Sequence, residues 1–127
     1  MSSSDVIVVG AGNAAMCAAL SAQEQGARVL VLERAQIDNR GGNSAHSGGS
    51  FRVVYRDMDD FKQLVPDLTP DEIRNSDFGT YTEEQYLDDL ARMSQYRCDP
   101  NLAEVLVKQS LPAALWMQKF GVRFIQI

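Results

Sequence analysis

Three small residues near the amino terminus constrain the fold of this chain more than any other feature. Gly10, Gly12 and Ala15 follow an apolar, β-branched run at residues 5–9. At this spacing the first glycine permits a tight turn, the second lets the backbone approach a pyrophosphate, and the small third residue lets a helix pack closely on the strand. A second apolar run at residues 28–32 completes a βαβ pattern. The pattern predicts an α/β fold in which the amino terminus of a helix holds a dinucleotide phosphate.

The acidic residue Glu33 supports the same interpretation. It ends the βαβ unit at residues 5–33 and follows Gly12 by about 20 positions. A carboxylate there accepts hydrogen bonds from an adenosine ribose and disfavours a 2′-phosphate, so NADP is not expected. The alternative is a glycine turn without a ligand beside a surface glutamate. Since strand, turn, helix and acid agree, nucleotide binding is favoured, with NAD and FAD both open.

The composition predicts one globular domain that avoids polyanions. Of 127 residues, 45% are hydrophobic and the formal net charge is −5, which favours a packed core and repels nucleic acid and anionic membranes. No apolar run is long enough for membrane insertion, and the amino terminus lacks the basic region of a secretory signal. Cys17 and Cys98 fit no metal spacing, and free thiols are favoured over a disulfide. We expect a cytoplasmic protein with no metal.

Residues 34–50 form a long glycine-rich loop without periodicity. Its centre, residues 40–50, contains the paired glycines Gly41–Gly42 and Gly48–Gly49, which let backbone amides approach a large planar group. Hydrogen-bonding side chains between the two pairs are Asn43, Ser44 and Ser47. Loops of this length within a compact domain are usually functional, although a flexible surface loop is the alternative. This segment distinguishes FAD from NAD as the ligand of the βαβ unit.

Three segments carry a resemblance to a known superfamily. They are residues 5–12 (DVIVVGAG), residues 29–34 (VLVLER) and residues 41–49 (GGNSAHSGG). In these segments the chain resembles the flavoprotein subunits of succinate dehydrogenase and fumarate reductase. Within that superfamily, residues 40–44 (RGGNS) followed by His46 are most similar to the tricarballylate dehydrogenases. Residues 99–124 have a similar character, so the resemblance covers nearly the whole chain.

The resemblance implies a doubly wound, Rossmann-like FAD-binding domain, of which this chain is the N-terminal portion. The residues that would line the FAD pyrophosphate are Gly10, Gly12, Asn13, Ala14 and Ala15. Those that would lie beside the adenosine are Glu33 and Arg34. Those that would follow the phosphates and the ribityl chain are Gly41, Gly42, Asn43 and Ser44. Those that would approach the isoalloxazine ring are Ser47, Gly48 and Gly49.

The resemblance also implies how FAD is attached. In the respiratory members a histidine in this loop carries FAD covalently. The matching position here is Asn43, followed by Ser44, so the FAD is predicted to be non-covalent. His46, the single histidine, lies three residues later. It is open to three interpretations, namely a flavin contact, a substrate contact, or a loop histidine satisfied by the backbone.

The pattern from residue 61 to residue 121 is helical. Two capping boxes are predicted, Thr69 with Glu72 and Thr82 with Gln85, and Pro70 suits a first helical position. One further helix is expected over residues 99–110 and a short one over residues 112–120. The side chains expected in the core there are Leu115, Trp116 and Phe120.

Residues 122–126 predict the start of a third strand. An open α/β sheet needs more strands than these segments supply, so the rest of the fold is expected to lie outside this chain. The acidic residues Asp57, Asp59 and Asp60 are interpreted as a solvated loop. Arg52 and Arg56 suit a tricarboxylate substrate, although solvated arginines are favoured.

The function expected for the intact protein is FAD-dependent dehydrogenation of a small polycarboxylate, tricarballylate-like, by hydride transfer to flavin N5. The alternatives are a fumarate reductase, another superfamily member such as a ketosteroid dehydrogenase, or a nucleotide-binding module without catalysis. An electron-acceptor partner is compatible with each of the oxidoreductase functions named here. The proton donors and substrate-binding arginines of the superfamily lie further downstream, so we predict no catalytic residue here and no turnover by this chain alone.

Overall fold

A computed structural model describes residues 3–126 of the chain. It divides into two compact units, one ending at Phe51 and the other beginning at Arg52. Each unit is described by itself below.

The first unit contains a βαβ arrangement, as predicted. Strand β1 (Val6–Val9) and strand β2 (Val29–Leu32) pair in parallel, and helix α1 (Asn13–Glu24) connects them and packs on both. The strand side chains alternate between half-buried and exposed, as expected of a sheet with a helix on one face. Within the described residues the sheet consists of these two parallel strands, and α1 packs on it. The doubly wound architecture remains a prediction.

The starts of the two strands are joined by an ion pair. The Asp5 carboxylate accepts hydrogen bonds from the Arg28 guanidinium at 2.8 and 3.0 Å and from the Arg28 amide at 2.9 Å. Because both side chains are about half exposed or more, water screens this attraction, and the pair mainly fixes geometry. In the parallel register of the two strands, Val6 lies opposite Val29, directly after the ion pair.

Glycines flank both ends of helix α1, and Gly26 follows the helix as the sequence predicts. Gly12 is its N-cap residue in an extended conformation, and Gly26 follows the helix with a φ of +83°. At that φ a side chain is strained, so glycine is the residue that ends the helix at little cost. The Gly26 amide donates to the Gln23 carbonyl at 2.9 Å, which satisfies one of the last carbonyls of the helix.

The second unit is helical. Its helices are α2 (Met58–Leu64), α3 (Pro70–Asn75), α4 (Glu83–Met93) and α5 (Pro100–Gln118). Both predicted capping boxes are formed, at Thr69 and at Thr82, and Pro70 occupies the first turn of α3. One prediction is corrected here, that Asp57, Asp59 and Asp60 form a solvated loop. Asp57 instead caps α2, because its side chain accepts hydrogen bonds from the amides of Asp59 and Asp60 at 3.0 and 2.9 Å.

Helix α5 corrects a second prediction. Two helices were expected to meet near Pro112, but one helix continues through this proline. Proline removes one helical hydrogen bond and crowds the carbonyl of the preceding turn, which costs about 3 kcal/mol. Val107 and Ala114, on either side of Pro112, are 1% and 2% exposed. Burial on both sides of the proline is what favours a continuous helix.

The core of this unit lies between α2 and α5. It is centred on Leu64, Val65 and Ala114, against which Phe61, Leu111 and Leu115 pack among others. The prediction that Phe120 belongs to the core is wrong, because Phe120 lies beyond the end of α5 and is 38% exposed. Its ring contacts Trp116, which is half-buried, with centroids 4.8 Å apart.

The third strand predicted at residues 122–126 is absent from the described structure. This segment has no regular conformation, and its Phe124 packs against the core cluster around Leu64. A strand forms only where a neighbour exchanges backbone hydrogen bonds with it. The described part of this unit offers only the isolated bridge between Tyr55 and Tyr81. Across residues 3–126, no helix combines the length and the apolar character that crossing a membrane requires.

Candidate functional site

The turn between β1 and α1 is held by backbone contacts. The Gly10 amide donates to the Leu32 carbonyl at 2.6 Å, so the end of β2 supports the start of the turn. Gly10 has a φ of +106°, outside the range that residues with side chains readily adopt. The Gly12 carbonyl accepts from the Met16 amide at 3.0 Å, which starts the hydrogen-bond ladder of α1. The predicted role of Gly10, a tight turn out of the strand, fits this geometry, whereas the approach of a pyrophosphate at Gly12 stays a prediction.

Glu33 lies at the base of the same turn. Its Oε2 accepts from the Ala11 amide and its Oε1 from the Ala35 amide, each at 2.8 Å. These bonds, first that from Ala35 and then that from Ala11, lower the pKa of the Glu33 carboxyl below its ordinary value of 4.5. The carboxylate therefore remains charged at neutral pH and holds the glycine turn against the end of β2.

The second glycine loop reaches the amino terminus of α1 through Ser44. The Ser44 hydroxyl oxygen accepts a hydrogen bond from the Asn13 amide at 2.9 Å. Ser44 lies in a short 3₁₀ helix, Gly42–His46, whose N-cap residue Gly41 has a φ of +97°. The glycine at 41 thus permits the reversal that brings Ser44 back to α1.

The loop continues in a series of local hydrogen bonds. The Ser47 hydroxyl donates to the Ser44 carbonyl at 3.0 Å and accepts from the Gly49 amide at 3.3 Å. Gly48 and Gly49 both have positive φ, at +70° and +75°. The segment is a defined turn and not an irregular coil, with Ser47 at its centre.

A cavity of about 490 Å³ lies in the first unit, between the glycine turn and the second loop. Its lining residues are Ala11, Gly12, Asn13, Met16, Asn43, Ser44, Ser47, Gly49, Ser50 and Phe51. Six of these were predicted from the sequence as cofactor residues, and they come from both glycine segments. The structure therefore brings residues that are more than 30 positions apart into one concave site.

Sequence reasoning missed four lining residues, namely Ala11, Met16, Ser50 and Phe51. Met16 lies three positions after Asn13 and hence on the same face of α1, a spacing that could have identified it. Ser50 and Phe51 directly follow the second glycine pair.

The other predicted site residues lie outside this lining, as far as the described chain shows. They are Gly10, Ala14, Ala15, Glu33, Arg34, Gly41, Gly42, His46 and Gly48. Gly10, Gly41 and Glu33 still shape the site through the contacts above. His46 ends the short 3₁₀ helix with an exposed side chain, so its three interpretations remain open.

The cavity has the chemistry that the pyrophosphate of FAD requires. The first turn of α1 carries no acidic side chain, so the positive end of the helix dipole is not offset. A Cβ added at Gly12 would lie 3.5 Å from the Gly41 carbonyl oxygen and 3.6 Å from the Ser44 hydroxyl, which would fill the gap between turn and loop. Glycine keeps that gap open to a phosphate. The residues present therefore fit the phosphate portion of FAD.

A second group of polar side chains lies in the helical unit. One Arg52 nitrogen donates to Asp89 at 3.0 Å and to the Tyr81 hydroxyl at 3.2 Å, and that hydroxyl donates to Asp89 at 2.7 Å. The bond from Tyr81 is the largest cause of a lowered pKa at the Asp89 carboxyl. Similarly, Arg56 pairs with Asp60. Both arginines thus have carboxylate partners within the protein.

Within residues 3–126 no group of three or more acidic, cysteine or histidine side chains is placed to hold a metal ion. Cys17 and Cys98 are both free thiols.

Comparison with known protein families gives a match over nearly the whole chain. The family described as "FAD binding domain" matches residues 5–126. This match includes the glycine turn, the second loop and the helical unit.

Individual relatives are consistent with that match. The chain is 29% identical over 117 residues to a protein named fumarate reductase (cytochrome) from Shewanella frigidimarina, covering 92% of this chain and 18% of the relative. It is 33% identical over 102 residues to a vinyl phenol reductase from Lactiplantibacillus plantarum, covering 75% and 20%. It is 41% identical over 70 residues to a 3-oxosteroid 1-dehydrogenase from Mycolicibacterium smegmatis, covering 55% and 12%. The chain thus spans about a fifth or less of these relatives.

Proposed function

Because this chain belongs to the FAD binding domain family, within the superfamily of succinate dehydrogenase and fumarate reductase flavoproteins, we propose that the whole protein is an FAD-dependent oxidoreductase. FAD supplies the hydride chemistry when it is bound. The chain described here supplies binding and orientation. The observation that carries the proposal is the cavity where the first turn of α1 and the second glycine loop meet.

The first glycine segment binds the adenosine and phosphate half of FAD in this proposal. The amino terminus of α1 lines the cavity through Gly12 and Asn13, and the positive end of the helix dipole there favours an anion. Glu33 accepts the ribose hydroxyls. Each of its oxygens already accepts one amide hydrogen and has a further lone pair, so ribose binding does not require the turn to open.

The second glycine loop binds the flavin half. Asn43 and Ser44 line the cavity beside the phosphates, and Gly49 lines it without a side chain that would keep the ring away. Asn43 stands where the respiratory members carry a covalently attached histidine. An amide side chain forms no such bond, so we propose that FAD is held without a covalent link.

The substrate proposed is a small polycarboxylate, tricarballylate-like. Support comes from residues 40–46 and from a relative whose name specifies fumarate, a dicarboxylate. Arg52 and Arg56 do not serve as its partners in this proposal. Each already pairs with a carboxylate, so a substrate carboxylate would compete with that partner. As the resemblance implies, the cations for the substrate are assigned to residues further downstream in the whole protein.

A steroid substrate is the second candidate. It is favoured by the identity of 41% over 70 residues shared with the 3-oxosteroid 1-dehydrogenase, higher than the 29% shared with the fumarate reductase. The higher value covers only 55% of the chain. A binding module without catalysis is the remaining alternative.

The experiment uses the whole protein, purified and handled without oxygen. Acid denaturation is expected to release free FAD into the supernatant, and flavin that stays with the precipitate would overturn non-covalent binding. Stopped-flow mixing with tricarballylate is expected to bleach the flavin band, with succinate and a 3-oxosteroid as parallel substrates. Bleaching by the steroid alone would replace the polycarboxylate proposal. A protein that binds FAD but responds to no reductant or oxidant would be the binding module.

A further inference from the structure

Residues 52–55 open the helical unit and are held there by backbone contacts. The Val54 amide donates to the hydroxyl of Ser110 at 2.9 Å, and Ser110 is a buried residue of α5. One position later, the backbones of Tyr55 and Tyr81 exchange two hydrogen bonds, at 3.0 and 2.9 Å. The backbone is therefore fixed from Val54 onward.

The side chain of Arg52 extends this fixed segment toward the preceding loop. One guanidinium nitrogen donates to Asp89 at 3.0 Å and to the Tyr81 hydroxyl at 3.2 Å, and the guanidinium lies 5.7 Å from the centre of the Tyr81 ring. The Asp89 carboxylate also accepts from that hydroxyl at 2.7 Å and from Arg92. These three donors converge on a side chain that is only 25% exposed. Such a network resists opening more than an isolated surface ion pair does.

We propose that Asp89, acting through Arg52, limits the length of chain that FAD has to order and is thereby a positioning residue for the flavin. This inference rests on the proposed FAD binding. The bond of Ser44 to α1 and the network at Arg52 are two attachment points of the chain. Between them lie residues 45–51, of which Phe51 lines the cavity directly before Arg52.

Loss of the Arg52 contact would lengthen the segment between attachment points. The next attachment along the chain is the Val54 amide, so residues 52 and 53 would be released as well. Fixing the backbone of each released residue costs conformational entropy, and a ligand that orders the loop has to offset that cost. Removal of Asp89 should therefore weaken FAD binding although Asp89 does not contact FAD in this proposal.

The effect should be confined to the flavin half of the cofactor. ADP carries the adenosine and the pyrophosphate without the flavin. In the proposed function these parts lie against the first glycine segment and against Asn43 and Ser44, all of which precede residues 45–51. ADP binding should therefore be insensitive to the Arg52 contact, whereas a general loss of packing would weaken both ligands.

The test uses the whole protein freed of FAD and titrated with FAD and with ADP. Asp89→Ala is expected to weaken FAD binding about tenfold and to leave ADP binding unchanged. Asp89→Asn keeps one acceptor oxygen and is expected to give an intermediate FAD affinity. Asp88→Ala is the matched control, because Asp88 is the preceding acid of α4 and is 70% exposed, and it should change neither affinity. Thermal melting of each variant checks that it is folded.

A double-mutant cycle shows whether Asp89 acts through Arg52. Arg52→Ala is expected to weaken FAD binding by the same factor as Asp89→Ala. The variant that carries both substitutions should then bind FAD no more weakly than either single variant. If the two losses multiplied, the residues would act independently and the proposal would be overturned.

The ligand comparison separates this proposal from its alternatives. Equal losses of FAD and ADP affinity in Asp89→Ala would make Asp89 a purely structural residue and overturn its positioning role. If the wild type bound neither FAD nor ADP, the proposed function would fail and this inference with it. Normal FAD binding by the wild type together with an unchanged Asp89→Ala would remove the positioning role alone.

Discussion

The Glu33 Oε2 atom accepts a hydrogen bond from the Ala11 amide at 2.8 Å, across 22 positions of sequence. The residue expected to bind the ribose is therefore also the residue that holds the glycine turn. Glu33→Ala removes both contributions, and we expect it to weaken FAD binding to the whole protein about tenfold. Glu33→Gln keeps one acceptor oxygen and should cost less. Fluorescence titration of the FAD-free protein measures both affinities.

The control for this prediction is Glu84→Gln, because Glu84 is an exposed acid in the other unit. It should leave the affinity unchanged. Equal affinities of wild type, Glu33→Ala and Glu33→Gln would mean that Glu33 is a strand-end residue without a ligand.

The lowered pKa of Glu33 predicts how the turn responds to acid. A carboxyl whose pKa is lower in the folded protein stabilises it fully above the ordinary value of 4.5, and the contribution is lost as the pH falls through the lower folded value. The melting temperature of the wild type should therefore exceed that of Glu33→Gln at pH 6. The difference should shrink steadily as the pH falls below about 4.5. A difference that is constant from pH 6 to pH 3 would show that the charge of Glu33 contributes nothing.

The two glycines of the turn should respond differently to alanine. Gly12 has a φ of −76°, which alanine adopts, and its added Cβ would make only ordinary contacts. We expect Gly12→Ala to fold normally and to lose FAD affinity, since the Cβ lies where the phosphate approaches. Gly10 has a φ of +106°, so Gly10→Ala should destabilise the protein by about 1–3 kcal/mol. Denaturant unfolding and FAD titration of both variants separate the two effects.

The sequence predicted the first unit well because its signals are local. The strands on either side of α1, the helix-ending Gly26 and the glycine turn all follow from backbone conformations that few residues permit. Glu33 was expected to face a ribose, and its bonds to the Ala11 and Ala35 amides could not be predicted. They depend on how the turn and the end of β2 meet in space, and spacing along the chain does not determine this.

The second unit was predicted less well where packing overrides local preference. Pro112 is a strong helix-ending signal, but burial of Val107 and Ala114 favours one continuous helix. Residues 122–126 have strand-forming side chains, and without a described partner strand Phe124 packs into the core cluster instead. The capping boxes were predicted correctly, since both partners lie within one turn of helix.

The capping box of α4 should contribute measurably to stability. The Gln85 amide donates to the Thr82 hydroxyl at 3.3 Å, and the Gln85 side chain accepts from the Thr82 amide at 2.8 Å. Thr82→Ala should lower the free energy of unfolding by about 1 kcal/mol. Thr80→Ala, at an exposed threonine just before the box, is the control and should have little effect. Equal unfolding midpoints in urea for the two variants would mean that the box contributes nothing.

The exposed face of the β1–β2 sheet predicts self-association of the chain when it is expressed alone. The apolar side chains on this face are Ile7, Val9, Leu30 and Leu32, which are 59%, 83%, 42% and 47% exposed. Each strand of the pair also has one edge without a described partner strand. Apolar faces and unpaired strand edges both favour association between copies.

Light scattering of the 127-residue chain should therefore give an average mass above its 14.0 kDa, rising with concentration. Val9→Lys places a charge on the most exposed position of the face and should shift the mass toward the monomer, because association would bury that charge. Leu102→Lys is the matched control, since Leu102 is 70% exposed on α5 in the other unit. It should leave association unchanged. If the chain were monomeric at all concentrations, or if Leu102→Lys dispersed it as well as Val9→Lys, the sheet face would not be the surface that associates.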